Sequence, residues 1–404
     1  MKFVKQSARE APRMSIVLID WSVRESFHIL HYLARQTVPR SIFEVIVVEF
    51  YDRRSPAVAA HEDQVDSWVL LEMPRSCYYH KHLMYNVGIA LAKGEIVMIG
   101  DSDAMVRESF VQSILDRFAD DPEIVLHLDQ FRNNRKDLYP FCYPSFEEVT
   151  GPGCINNAGG RTAGLVDRRD PLHSRNYGAC MCARRADLIA IGGADEHIDY
   201  LGHICGPYEM TFRLFNRGLR EVWHEREFMY HTWHPGAYGV DNYLGPHDGR
   251  HMSSTALEAL STGRVAPLTE NRAIRALRER EPIDEAGLRA RLLDADAARD
   301  WQADTIGQIS REARWRLARY AVPPAHYRGF RIEAASPGYA AVPILGDRAN
   351  GADGRLAAPS LEALLTAIDR RATWAERATR LLAGTFVFSD RVMGKLGGKR
   401  RGAA

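Results

Sequence analysis

A chain of 404 residues, 46% of them hydrophobic, is long enough to bury one large core and to carry a smaller second unit. Its 53 basic and 52 acidic residues leave a formal net charge of +1, which argues against nucleic acid or an acidic membrane as a partner drawn in by a global field. No run approaches the roughly 20 apolar residues of a membrane span, and no signal-peptide apolar segment opens the chain, so a cytoplasmic protein is expected. Cys77, Cys142, Cys154, Cys180, Cys182 and Cys205 show neither zinc-site nor thioredoxin spacing, and reduced thiols fit that compartment.

Residues 1–13 are polar and read as a flexible arm. From Ser15 the pattern alternates between strand and helix. Strands are expected at 15–19, 43–48, 67–71, 96–99 and 124–128, with helices at 25–36, 79–92 and 108–118 between them. This rhythm predicts a doubly wound α/β sheet. Residues 129–174 break it with prolines and glycines, and a loop of that length is usually functional or mobile. A strand at 177–183, helices at 185–191 and 208–217 and strands flanking Trp223 and Met229 follow. Beyond about residue 246 the composition turns to Ala, Arg, Leu and Glu, which predicts a helical extension over 246–325. Tyr327–Ile332 and Tyr339–Ile344 read as a small hairpin, 361–382 as a final helix, and 395–404 as a basic disordered tail.

The stretch Lys93-Gly94-Glu95-Ile96-Val97-Met98-Ile99-Gly100-Asp101-Ser102-Asp103 carries the most chemistry. Gly94 reads as a helix stop in the left-handed conformation, and Ile96 to Ile99 as a strand covered on both faces. Asp101 and Asp103 then emerge at the strand's carboxyl end, where open α/β sheets bind ligands. Two hard oxygen donors one residue apart can hold a divalent cation against a diphosphate. An Asp-x-Asp triplet alone is common in solvated turns, so its context decides.

Four segments in order give that context. Ile16-Val17-Leu18-Ile19-Asp20 with Phe43–Glu49, then Asn86-Val87-Gly88 through Gly94-Glu95, then Gly192-Gly193-Ala194-Asp195-Glu196, and finally Gly206-Pro207-Tyr208-Glu209 with Tyr230–His234 downstream resemble family-2-like glycosyltransferases with a GT-A fold. The likeness covers residues 15–235. It implies a GT-A domain over 14–245, with a nucleotide-sugar half (14–110) and an acceptor half (111–245). It also implies a nucleotide-sugar donor, taken as a UDP-sugar, and Mn²⁺ in preference to Mg²⁺. The acceptor would be a hydroxyl of a glycan, glycolipid or similar molecule in bacterial polysaccharide or glycoconjugate synthesis. Homo-oligomerisation and peripheral membrane contact through Phe386–Phe388 and the basic tail stay open.

The same resemblance assigns residues. Asp101, Asp103 and His231 would hold the metal, with His234 as the alternative imidazole. Asp20, Trp21, Arg24, Glu49, Lys81, Asp101 and Ser102 would line the donor site, Glu49 accepting a base N–H. Trp21 reads equally as core, and Lys81 as a solvated surface residue. Glu209 would deprotonate the acceptor in an inverting displacement, its ionised form favoured at a helix start. The family's usual acidic pair is broken here by Gly206, and Asp195, Glu196 or Asp199 could substitute. A retaining transferase and a non-catalytic nucleotide-sugar-binding protein are the alternatives. A nucleotidyltransferase is disfavoured, since Asp20–Arg24 lacks a Gly-rich loop.

Overall fold

A computed structural model describes residues 1–77, 79–163, 178–197, 200, 207–235, 259 and 263–293, together with short stretches between 326 and 370. In chain order the strands of the main part are β1 (Lys2–Lys5), β2 (Met14–Asp20), β3 (Phe43–Glu49), β4 (Ser67–Leu70), β5 (Ile96–Gly100) and β6 (Ile124–His127). They continue as β7 (Gln130–Asn133), β8 (Asn157–Ala158), β9 (Arg161–Thr162), β10 (Cys180–Arg184), β11 (Arg220–Trp223) and β12 (Met229–Thr232). Eight of them form one sheet in the order β1-β4-β3-β2-β5-β10-β6-β11. β2, β3, β4 and β5 run parallel, while β10 lies antiparallel between β5 and β6. β7 and β12 form a separate parallel pair. This is the doubly wound mixed α/β core that the sequence predicts.

Alternation along each strand feeds two cores, one on each face of the sheet. Met14, Ile16 and Leu18 of β2 pack with Val45, Val47, Ile114 and Leu115 on one face, and Val17 and Ile19 with Val87, Ile89 and Leu214 on the other. The helices on these faces are α1 (Ile29–Leu33), α2 (Pro56–Ala59), α3 (Lys81–Leu91), α4 (Phe110–Asp120), α6 (Arg185–Ala190) and α7 (Tyr208–Asn216), while α5 (Phe146–Thr150) packs on β7 and β12.

Several expectations change. Residues 1–13 are no loose arm throughout, because β1 pairs antiparallel with β4 and extends the sheet edge. The helix expected over 25–36 shrinks to α1, since Ser22 takes φ 63° and the Asp20 side chain holds residues 23 and 24 in a turn. Gly94 does not end α3 in the left-handed region. A Cβ there would meet Met14 C at 2.6 Å and Ser15 N at 2.7 Å, so close backbone approach is what requires glycine. Within the segment expected as a long loop, residues 129–163 hold β7, α5 and the β8–β9 hairpin, and 164–174 lie outside the described residues. Helices Arg272–Arg278 and Glu285–Leu292 insert Ala273, Ile274 and Leu292 into the same core as β2 and α3.

Residues 164–175 and 325–404 form a second compact unit. Where the hairpin was expected, Phe330–Ala334 pairs with Tyr339–Pro343, and His326–Tyr327 and Leu356–Ala358 flank them to make four antiparallel strands. The basic tail and Phe386–Phe388 lie outside the described residues, as does most of the final helix. Among the described residues no helix is long and apolar enough to cross a membrane.

Candidate functional site

The carboxyl ends of β2 and β5 are adjacent, and the site grows from them. At the end of β2 the buried Asp20 carboxylate accepts the N–H groups of Val23 (3.1 Å) and Arg24 (3.2 Å). Burial pushes its pKa up to about 6, against those donors and the nearby Arg24 charge. The turn stacks Trp21 on Tyr79, with ring centroids 4.4 Å apart, and Lys81 at the start of α3 holds its Nζ 4.7 Å from the Trp21 ring. Arg24 reaches across to the end of β5. Its guanidinium contacts Asp103 Oδ2 and lies 3.7 Å from Asp101 Oδ1.

Past β5 the chain is tied to β12 by a reciprocal backbone pair between Met105 and Tyr230, at 2.8 and 3.0 Å. That pair is why residues so distant in sequence meet. It places His231 Nε2 3.8 Å and His234 Nε2 3.1 Å from Asp103 Oδ2, with the two imidazole nitrogens 3.1 Å apart. One ligand atom from each of Asp103, His231 and His234 lies within 4.8 Å of the others. Among the described residues Asp103 Oδ1 is buried with no hydrogen-bond partner. Burial pushes the Asp103 carboxyl up, but Arg24 and hydrogen bonds from the two histidines hold it well below the ordinary range. Asp101 behaves oppositely, its pKa raised by burial and by the Asp103 charge. Burial lowers His231, so the imidazole is disposed to be the neutral form that binds metals.

One acid and two imidazoles that converge on Asp103 Oδ2 suit a borderline cation such as Mn²⁺ better than Mg²⁺. His231 and His234 both belong to the cluster, whereas Asp101 stands outside it and meets Asp103 through Arg24. The buried Ser102 accepts the Ile29 N–H on its carbonyl at 3.3 Å, which ties α1 to the end of β5.

A cleft of about 210 Å³ opens beside Asp103, with Arg24, Glu25, His28, Tyr139, Trp233 and His234 on its walls. Tyr139 donates its hydroxyl to Glu25 Oε2 at 2.5 Å and meets Trp233 edge-on with centroids 5.6 Å apart. His28 stacks on Phe141 at 3.6 Å, and burial drives its pKa down to about 3. Glu25, His28, Tyr139 and Trp233 were not singled out from the sequence. The only hint was the irregular composition of 129–174.

Glu49 and Glu209 depart from expectation. Glu49 is 1% exposed and accepts the Ser55 N–H on both oxygens, at 3.0 and 3.1 Å, and the Trp68 indole N–H at 2.5 Å. Burial, then the Asp20 charge, raises its pKa to about 8. Glu209 is also 1% exposed, and the wholly buried Arg213 clamps its Oε2 at 2.6 and 2.7 Å while the Asp195 N–H donates to Oε1 at 2.9 Å. It does not line the Asp103 cleft. The expectation that Glu209 faces the Asp103 cleft as the base is therefore corrected: both its oxygens are engaged within the fold.

Its stand-ins fare no better. Asp195 accepts the N–H groups of His197, Leu268 and Thr269, each at 3.0 Å. Glu196 accepts from the Asn86 and Asn271 amides at 2.8 and 2.7 Å. Asp199 and Gly206 lie outside the described residues.

No protein-family model matches the chain, and no curated protein does. Several solved structures are similar to it. The S. aureus TarS structure is 16% identical over 66% of this chain and 43% of its own length, with a TM-score of 0.41, so this chain spans less than half of that protein. S. aureus TarS 1-349 in complex with UDP-GlcNAc is 14% identical over 81% of this chain and 96% of that one, with a TM-score of 0.42. The mannosyltransferase PcManGT from Pyrobaculum calidifontis, in complex with GDP-Man and Mn²⁺, is 15% identical over 80% of each chain, with a TM-score of 0.36. These are distant likenesses.

Proposed function

We propose that the chain is a metal-dependent glycosyltransferase that moves a sugar from a nucleotide-sugar, taken as a UDP-sugar, to an acceptor hydroxyl. The observation that carries this reading is the convergence of His231 and His234 on Asp103 Oδ2 at the sheet's carboxyl ends, beside an open cleft. These three residues would hold a divalent cation, which when bound supplies charge neutralisation at a departing diphosphate. Arg24 and Lys81 add positive charge beside Trp21, where phosphates can be paired. The Tyr139 and Trp233 rings offer apolar faces on the cleft wall for a sugar.

An inverting displacement needs a carboxylate in the cleft to take the acceptor proton. With Glu209 paired to Arg213, Glu25 is the carboxylate besides Asp103 among the described residues of the cleft wall, and we assign it that role. The burial of Glu209 also favours a second reading, retaining transfer, in which a dedicated base is not required. The anomeric configuration of the product separates the two. Polysaccharide or glycoconjugate synthesis remains the proposed setting.

Calorimetry of UDP binding with Mn²⁺ and with chelator tests the core of the proposal. Affinity is expected to rise with Mn²⁺, and Asp103→Ala to remove that rise while circular dichroism stays unchanged. Equal affinity of the native protein in both conditions would sink it.

A further inference from the structure

The two strand-end carboxylates already hold a cation, and it is a side chain of the protein. Arg24 is fixed at its backbone by Asp20, and its side chain is only 13% exposed. The guanidinium spans Asp101 and Asp103, contacting Oδ2 of the latter, which also takes His234 Nε2 at 3.1 Å. A divalent ion on Asp103 with Arg24 in place would set three positive charges against two carboxylates within a few ångströms. Without the ion the two carboxylates and the guanidinium sum to −1 rather than −2, so Arg24 weakens the attraction for a divalent ion and competes with it for Asp103 Oδ2. The guanidinium therefore has to leave Asp103 when metal arrives. A planar fork that pairs with carboxylate pairs equally well with phosphate oxygens, so a diphosphate arriving with the metal offers it an equivalent partner.

We propose that Arg24 is a placeholder cation and a positioning residue. It holds Asp101 and Asp103 together in the free protein, yields Asp103 to the divalent ion, and transfers to the diphosphate. Metal and nucleotide are thereby coupled, each raising the other's affinity by the same factor. The inference rests on the metal-dependent nucleotide site proposed above. It goes beyond a phosphate-contacting arginine in one measurable respect. A residue that only touches phosphate has no effect on metal binding when nucleotide is absent, whereas a placeholder suppresses it.

The test is Mn²⁺ binding to the full chain without nucleotide, followed by the loss of the free Mn²⁺ electron paramagnetic resonance signal, then repeated with saturating UDP. Arg24→Gln is expected to tighten binding of Mn²⁺ alone by about tenfold, and to reduce the enhancement that UDP confers by several-fold. Arg24→Lys keeps the charge but loses the fork, and should shift Mn²⁺ affinity in the same direction by a smaller factor. The lysine variant carries the test if the glutamine variant proves misfolded by circular dichroism. Unchanged or weaker binding of Mn²⁺ alone in a folded variant would overturn the placeholder role, even with Mn²⁺-dependent UDP binding intact in the native protein. Loss of that dependence in the native protein would instead overturn the functional reading, so the two failures are distinguishable.

Discussion

Glu209 and Arg213 sit one helical turn apart in α7, both essentially inaccessible to solvent, and Arg213 also donates to the carbonyls of Ile191 and Gly193. Removing one partner of such a pair leaves the other charge buried and uncompensated. Glu209→Gln is expected to lower unfolding free energy by about 3–5 kcal/mol, read from the urea midpoint, while UDP affinity stays near native. Adding Arg213→Met should recover much of the loss, since no orphaned charge would remain. Unchanged stability in Glu209→Gln would show that the carboxylate is not committed to the fold. Glu49 makes a different prediction. Its folded pKa of about 8 exceeds the ordinary 4.5, so the folded chain keeps a proton that the unfolded chain releases. The resulting stability is fully present below pH 4.5 and is lost as pH rises through 8. Asp20 acts in the same sense but is spent by about pH 6, and His28, lowered to about 3, acts in the opposite sense and is spent above 6.5. Among these three groups Glu49 dominates the change above pH 6.5. Stability should fall by about 2 kcal/mol between pH 6.5 and 8, and Glu49→Gln should flatten that fall in urea titrations at the two pH values. Equal slopes in both proteins would mean that Glu49 is ionised throughout.

At the scale of elements, α3 lies against β2 because Gly88 carries no side chain. A Cβ there would meet Val17 Cγ1 at 2.3 Å, on a strand paired on both sides and unable to retreat. Gly88→Ala should cost about 1–3 kcal/mol through overpacking, lowering the melting temperature despite alanine's better helix propensity. A raised melting temperature would show that the helix can shift freely. These elements were legible in the sequence because their periodicity is set by burial on both faces of one sheet: β2, β3 and β5 read as apolar runs, and α4 as an amphipathic helix. Asp101 and Asp103 were legible for the same reason, as polar residues that end such a run. What the sequence could not display was pairing across long separations. The Met105–Tyr230 bridge brings His231 and His234 to Asp103, and no local pattern encodes it. The commitment of Glu209 to Arg213 was hidden too, because an acid at a helix start looks the same whether it faces a cleft or a buried arginine. Glu25 and Tyr139 escaped notice because irregular backbone, without periodicity, brings them together.

At the scale of the whole molecule, the sequence placed a boundary near residue 246 on composition, yet the core does not stop there. Ala273, Ile274 and Leu292 are fully buried among residues of β2, α3 and α6, and Asn271 ties this region back through its amide to Glu196 and to the Leu292 carbonyl. The 263–270 loop supplies the N–H groups of Leu268 and Thr269 that satisfy the buried Asp195. Ending the chain at residue 245 would strip cover from the α3 and α6 faces and leave Asp195 without two of its three N–H donors at once. Burial of an Ile or Leu side chain contributes about 1.5–3 kcal/mol, and an unsatisfied buried polar group costs about 1–3 kcal/mol. These losses together approach the 5–15 kcal/mol by which a domain is typically stable. A chain ending at 245 is therefore expected to be aggregation-prone or molten, with weak near-ultraviolet circular dichroism. One ending at 324, where the first compact unit closes, should keep the native spectrum and the Mn²⁺-dependent binding of UDP. If the 245 truncation instead melts cooperatively and binds UDP as the full chain does, then residues 263–293 are an appendage on a core that is complete without them.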